Sequence, residues 1–152
     1  MPRLGSDVSA ASQNVSRSKP KAKPWANLWK VKRQNNQDYL LAAEEGDMQA
    51  MLDLLDPAKK MLQVADINTK GADQWTALHY ACNEGHGDIL EALVEKGIDI
   101  TAVTKQQRLA LHLACARGNL DICRYLCDQP MIDRNALDID GSTSLHLASQ
   151  QG

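Results

Sequence analysis

The residues of this chain that could carry chemistry are concentrated in the stretch WTALHYACNEGH, which spans Trp75 to His86. It holds a hydroxyl on Thr76, an imidazole on His79 and a thiol on Cys82. Imidazole and thiolate groups are the usual protein ligands of zinc. A hydroxyl or thiol beside an imidazole is also the pair that nucleophilic catalysis needs. The stretch therefore raises two chemical hypotheses, a metal site and an activated nucleophile.

The same pattern recurs along the chain, and this recurrence argues against both hypotheses. His79 is followed by His112 after 33 residues and by His146 after 34 more, each within a similar sequence. Histidines at one repeat position stand about 10 Å apart when helices pack, whereas zinc ligands lie about 2 Å from their metal. No acid recurs with the threonine–histidine pair, as a catalytic triad requires. We expect no metal, no cofactor and no catalytic residue.

The four cysteines (Cys82, Cys115, Cys123 and Cys127) lie inside amphipathic runs. Cys123 and Cys127 are four residues apart, which would place two ligands on one helical face. No Cys-x-x-Cys pair completes a zinc site. Because the N-terminus has no apolar signal-peptide core, we interpret the cysteines as reduced, buried small hydrophobic residues of an intracellular protein.

Each repeat unit is predicted to contain two short helices. The first helix is predicted over 76–84, with copies beginning near residues 109 and 143. The second is predicted over 88–95 and 121–128. Helices of about eight residues are unstable alone in water, so these units must stack on one another. Stacking of this kind produces a solenoid.

The sequence TALHYACNEGHGDILEALVEKGIDI resembles an ankyrin repeat, and LALHLACARGNLDICRYLCDQPMID and GSTSLHLASQQG resemble two further copies. The resemblance covers about 36–152 and implies an all-α ankyrin-repeat solenoid of paired antiparallel helices with hairpin loops. The units are a divergent first repeat at 36–70, repeats at 71–103 and 104–137, and a truncated repeat at 138–152.

The resemblance assigns structural roles to the shared positions. The threonines are N-caps, His79 and His146 bond the threonine hydroxyl three residues back and the backbone of the neighbouring unit, and the glycines end the first helices; Leu109 replaces the threonine in the unit of His112. These positions are Thr76, His79, Gly85, His112, Gly118, Thr143 and His146. The turn glycine of the family is kept as Gly141 but replaced by Gln74 and Gln107.

Partner binding is predicted at the positions that vary between repeats, at the hairpin tips and at the exposed ends of the first helices. These candidates are Trp75, Asn83, Glu84, Arg108, Arg117, Ser142, Glu44 and Glu45. Trp75 either contacts a partner, because tryptophan is enriched at binding hot spots, or folds back over its own hairpin. The acidic candidates suggest a basic partner segment or the chain's own basic tail.

The N-terminal part of the chain is basic and the remainder is acidic. Residues 1–35 hold eight basic residues and one acid, whereas the rest hold nine basic and 18 acidic residues. A disordered basic tail is predicted for 1–24, and a short amphipathic basic segment for 25–35, with Trp25 and Trp29 on one helical face. This segment is a helix that caps the first repeat, a docking element for a partner or an anionic membrane, or a nuclear-import or nucleic-acid contact.

The sequence as a whole predicts a non-catalytic scaffold or adaptor that binds another protein, in the cytoplasm rather than the nucleus. No stretch is apolar enough to span a membrane. The alternative is a regulatory N-terminal segment of a longer enzyme or channel. Leu145, Leu147 and Ala148 keep an inward-facing apolar pattern in the last unit, so we expect the chain to be the N-terminal part of a longer array or a truncated gene product.

Overall fold

The computed structural model describes residues 27–58 and 64–152, apart from the side chains of Leu28 and Trp29. These residues form one 3₁₀ turn at Ala72–Gln74 and seven α-helices: α1 Leu28–Glu45, α2 Met48–Leu55, α3 Ala77–Glu84, α4 Gly87–Glu95, α5 Ala110–Arg117, α6 Leu120–Cys127 and α7 Ser144–Gln151. No strand occurs in the described part of the chain. The prediction of an all-α helical-repeat solenoid is confirmed.

Consecutive first helices form the spine of the solenoid. α1 packs on α3, α3 on α5 and α5 on α7, and each first helix except α7 also packs on the second helix of its own unit. Helices α3, α4 and α6 begin and end within one residue of the predicted bounds, and α5 and α7 begin within one residue of the predicted starts. Small residues at the contact, such as the fully buried Ala81 and Ala114, allow the first helices to approach closely. None of the described helices is long and apolar enough to cross a membrane.

The N-terminal basic segment is continuous with the first repeat. Helix α1 runs through the boundary placed after residue 35 and ends at Gly46, whose N–H donates to the carbonyl of Ala42. Asn35 and Tyr39 are both buried on one side of this single helix. The predicted disordered tail, Trp25 and the side chain of Trp29 lie outside the described residues, so their roles stay predictions.

The expectation that Leu145 of the last helix faces inward is wrong. Leu147 is buried, as predicted, but the side chain of Leu145 is 77% exposed. The equivalent Leu78 and Leu111 are buried, because α3 and α5 each have a first helix packed on both sides. Helix α7 packs on α5 alone among the other first helices, which leaves Leu145 facing solvent.

The hairpin tips contain two glutamines in a left-handed backbone conformation. Gln74 has φ 63° and Gln107 has φ 60°, close to the 74° of Gly141 at the same position of the last unit. The left-handed region costs a residue with a Cβ about 1–2 kcal/mol. Glycine avoids this cost but loses about 0.5–1 kcal/mol through the greater freedom of its unfolded chain.

Replacement of Gln107 by glycine is therefore expected to raise the free energy of unfolding by up to about 1 kcal/mol. The matched control is Gln106→Gly, because Gln106 is exposed and is not among the residues with positive φ. This control should lower the free energy of unfolding in urea. An equal loss of stability in both variants would contradict the argument from backbone strain.

Candidate protein-binding surface

The threonine–histidine pairs close the first turn of their helices. Nδ1 of His79 accepts the N–H of Thr76 at 3.1 Å and lies 2.9 Å from its hydroxyl. Thr143 and His146 repeat this geometry, at 3.1 and 2.8 Å. Because Nδ1 accepts a backbone N–H, the ring proton of the neutral imidazole is on Nε2. The pairs therefore satisfy free helix N–H groups, and the lone pair of Nδ1 is engaged by a backbone N–H.

His79 is buried between repeats. Its side chain is fully inaccessible, and burial lowers its pKa from 6.5 to about 4, although the backbone carbonyls of Arg108 and Ala102 offset part of this effect. Its Nε2 makes no hydrogen bond of good geometry within the described residues. His112, one unit further on, donates from Nε2 to the carbonyl of Ala136 at 3.0 Å. Burial therefore keeps His79 neutral near pH 7, and His112 ties its helix to the segment that leads into the next hairpin tip.

Two polar residues that the sequence did not single out also join the repeats. Nε2 of His86 lies 3.1 Å from the carbonyl of Glu44, and the amide of Asn119 donates to the carbonyl of Cys82 at 2.9 Å. Both residues directly follow the glycine that ends a first helix. Their shared repeat position was the signal that could have identified them as inter-repeat contacts.

His86 also explains why the first unit needs a glycine where α1 ends. Gly46 has φ 83°, and a Cβ built there would lie 2.7 Å from Cε1 of His86. A side chain at this position would strain the backbone and displace the imidazole. The second of the two histidines in the opening stretch is thus a packing residue between the first two repeats.

Trp75 folds back over its own repeat unit. Its ring centroid lies 5.1 Å from that of Tyr80 and 6.4 Å from that of His79. The residue is half-buried, and its carbonyl accepts the N–H of Gly71 at 2.8 Å. One face of the indole therefore covers the start of α3, and the remaining surface is open to solvent.

The other two candidates at the hairpin tips belong to a network between tips. Nε of Arg108 lies 2.9 Å from the buried carboxylate of Asp138, and the Arg108 side chain is 25% exposed. The same carboxylate accepts the N–H groups of Ser142 and Asp140. Burial opposes ionisation of Asp138, but these N–H groups and the guanidinium hold its pKa below the usual value.

Backbone hydrogen bonds also run from tip to tip. The N–H of Lys105 donates to the carbonyl of Asp73 at 2.8 Å, and the N–H of Ile139 donates to that of Gln106 at 2.9 Å. The three tips are therefore held in a fixed row, whose surface side chains include Trp75 and Arg108.

The candidates at the ends of the first helices meet across repeats. The amide of Asn83 donates to the Glu84 carboxylate at 2.6 Å and accepts a hydrogen bond from Nε of Arg117 at 3.1 Å. Glu44 and Glu45 are exposed at the end of α1. Burial raises the pKa of Tyr80, and the negative charge of Glu44 adds to this effect, which places that carboxylate within electrostatic range of α3.

The cysteines depart from their predicted environment. Cys82 is fully buried, whereas Cys115, Cys123 and Cys127 are half-buried and pack against the core, so all four are packing residues as predicted but the predicted burial is wrong for three of them. All four are free thiols. Within residues 27–58 and 64–152, no group of three potential ligands is placed to hold a metal ion.

Comparison with known proteins supports the repeat assignment. The family model "Ankyrin repeats (many copies)" matches residues 39–94 and 78–127. Ankyrin repeat domain-containing protein 49 of Homo sapiens is 33% identical over 86 residues, which are 55% of this chain and 34% of that protein. NAD-capped RNA hydrolase NUDT12 of Homo sapiens is 33% identical over 82 residues, 51% of this chain and 17% of that protein. The chain thus spans about a third or less of these curated relatives.

Proposed function

The chain belongs to the ankyrin-repeat family, and from this premise we propose that it binds a basic segment of another protein along the C-terminal ends of α1 and α3. The match to the ankyrin-repeat family model supports a role as a protein-interaction module. In this proposal the module acts as a non-catalytic scaffold or adaptor, and its binding energy comes from side chains that differ between repeats.

The observation that carries the proposal is a row of exposed carboxylates at successive helix ends. Glu44 and Glu45 lie at the end of α1, and Glu84 lies at the end of α3. The C-terminus of a helix carries a partial negative charge of about half an electron, which adds to the attraction for a cation. Lysine and arginine side chains of an extended partner would therefore be favoured along this row.

Two neighbouring features support this choice of partner. Asn83 hydrogen-bonds Glu84, which orders the end of the acidic row at α3, and it also accepts from Arg117 of α5, where the acidic row stops. The half-buried Trp75–Tyr80 ring pair lies on the same unit, towards the start of α3 whereas Glu84 ends it, and it offers an aromatic surface to cationic groups, which stack favourably on such rings. Charge and aromatic surface together suit a basic segment better than an acidic one.

A triple charge reversal tests this proposal. The partner is first captured from cell extract with the wild-type protein. Its affinity should be at least about tenfold lower for a variant that combines Glu44→Lys, Glu45→Lys and Glu84→Lys, since like charges replace opposite ones. Dissociation constants for the captured protein would be measured at low and high salt. The wild-type affinity should fall with salt more steeply than that of the variant.

The matched control reverses the charge of two acidic residues on α4, away from the proposed row. Glu91→Lys and Glu95→Lys change exposed residues of α4 and should leave affinity within about twofold of wild type. A captured partner that binds the triple variant as tightly as the wild type would contradict the acidic row as the binding site.

A second candidate function is a regulatory or docking segment attached to an enzyme. The similarity to NAD-capped RNA hydrolase NUDT12, confined to 17% of that protein, favours it. The full coding sequence that contains this chain distinguishes the two proposals. A catalytic domain in the same reading frame would favour the enzyme-linked role, and further repeats alone would favour the scaffold.

A further inference from the structure

Two thiols of the third repeat lie close enough to react with each other. Cys115 on α5 and Cys123 on α6 have their sulfur atoms 3.3 Å apart, and both side chains are half-buried. The hydroxyl of Ser144, on the first turn of α7, donates a hydrogen bond to the Cys115 sulfur. Three helices therefore converge on one sulfur atom that solvent can still reach.

The preceding repeat shows what is special about this arrangement. Cys82 occupies the position equivalent to Cys115, but the residue equivalent to Cys123 is Leu90 and that equivalent to Ser144 is Ala110. Cys82 is fully buried, and burial raises the pKa of its thiol. The thiol in the second repeat is thus a packing group, whereas the third repeat surrounds the same thiol with two hydrogen-bond donors.

These donors stabilise the thiolate of Cys115. The hydrogen bond from Cys123 lowers the pKa of Cys115 most, burial opposes it, and Ser144 lowers it further, giving a value of about 7. The pKa of Cys123 is raised because its proton is held in this hydrogen bond. Thiolates, not thiols, are the nucleophiles of thiol chemistry. Cys115 would therefore attack an oxidant, and Cys123 would then attack the oxidised sulfur of Cys115.

We propose that Cys115 and Cys123 are a peroxide-sensitive dithiol that oxidises reversibly to a disulfide between α5 and α6. The inference is independent of the partner-binding surface. Sulfur atoms in a disulfide are about 2.05 Å apart, so the pair must close by a little more than 1 Å from its present separation. In a reducing compartment such disulfides are transient and redox-sensing rather than structural.

The chemistry balances with hydrogen peroxide as the oxidant. The Cys115 thiolate attacks one peroxide oxygen, an S–O bond forms, the O–O bond breaks, and hydroxide leaves and takes up a proton. Cys123 then attacks the sulfur of the sulfenic acid, so that the S–S bond forms and the S–O bond breaks. The second hydroxide takes the proton of Cys123. Two thiols lose two electrons, and peroxide becomes two water molecules.

Peptide mapping of the full chain tests the proposal directly. Trypsin cleaves after Arg108, Arg117 and Arg124, so Cys115 and Cys123 fall on peptides 109–117 and 118–124, and Cys82 and Cys127 on two others. After peroxide treatment and alkylation in denaturant, peptides 109–117 and 118–124 should appear linked, about 2 Da lighter than their sum. Dithiothreitol should release both as free thiols.

Two variants separate the roles of the neighbouring groups. Cys123→Leu copies Leu90 of the preceding unit; it should slow the oxidation of Cys115, because it removes the main donor to that thiolate, and leave the product as a sulfenic acid that dimedone traps. Ser144→Ala copies Ala110 and should slow the loss of the Cys115 thiol several-fold. Equal oxidation rates for Cys82 and Cys115 in the wild-type chain, or a linked pair other than 109–117 with 118–124, would overturn the proposal.

Discussion

Replacement of Asp138 by alanine is expected to lower the free energy of unfolding by about 3 kcal/mol. Its buried carboxylate accepts hydrogen bonds from the N–H groups of Asp140 and Ser142 and from the Arg108 guanidinium. Removing the carboxylate takes the shared acceptor from these part-buried donors at the junction of two hairpin tips, and loss of a partner costs about 1–3 kcal/mol for a donor that water cannot reach. Urea unfolding followed by circular dichroism measures the loss.

Asp140→Ala is the matched control for this prediction. Asp140 approaches the same arginine at 3.8 Å, but its side chain is 72% exposed. Exposed ion pairs contribute about 0–1 kcal/mol, so the control should unfold close to wild type. An equal cost for both aspartates would show that the buried carboxylate does not hold the tips together.

The Asp138 result also bears on Arg108 as a binding residue. An Arg108→Ala variant removes the partner of a buried carboxylate, so part of any lost affinity would come from a loosened hairpin tip. Comparison with Asp138→Ala separates the two effects, because that variant loosens the tip and keeps the guanidinium. A loss of affinity in Arg108→Ala alone would assign the guanidinium to the partner contact.

Acidification to about pH 5 is expected to cost roughly 2 kcal/mol of stability through His79 alone. The folded imidazole has a pKa of about 4 because it is buried, against 6.5 for the unfolded chain. Between these values the unfolded state binds more protons, so stability falls as pH falls. The stability that depends on a neutral His79 is fully present above the unfolded-state pKa of 6.5, and it is lost progressively as the pH drops from 6.5 towards 4.

The difference between variants isolates the histidine from other titrating groups. His79→Gln cannot protonate, so the difference in its unfolding free energy between about pH 7.5 and pH 5 should be roughly 2 kcal/mol smaller than in wild type. His146→Gln changes the same repeat position at an exposed site and should keep the wild-type difference. A wild-type pH dependence in His79→Gln would show that His79 is not protonated on unfolding.

The sequence determined the parts of this protein that depend on short spacing. The repeat period, the pairs of short helices and the Thr76–His79 hydrogen bond, three residues apart, all follow from side chains and backbone groups that neighbour each other along one helix. Such contacts recur whenever the same residues recur. For this reason the repeat pattern is sufficient to identify the histidines as scaffold residues.

Tertiary structure alone decided the contacts between units. His86 reaches a carbonyl 42 residues away, Arg117 reaches an amide 34 residues away, and Arg108 pairs with a carboxylate 30 residues away. A shared repeat position can mark a residue such as His86 as a contact between units, but its partner atom depends on how neighbouring units stack and on which rotamers the packed surface allows. The same applies to the two thiols of the third repeat, whose helices bring them together only when α5 folds against α6.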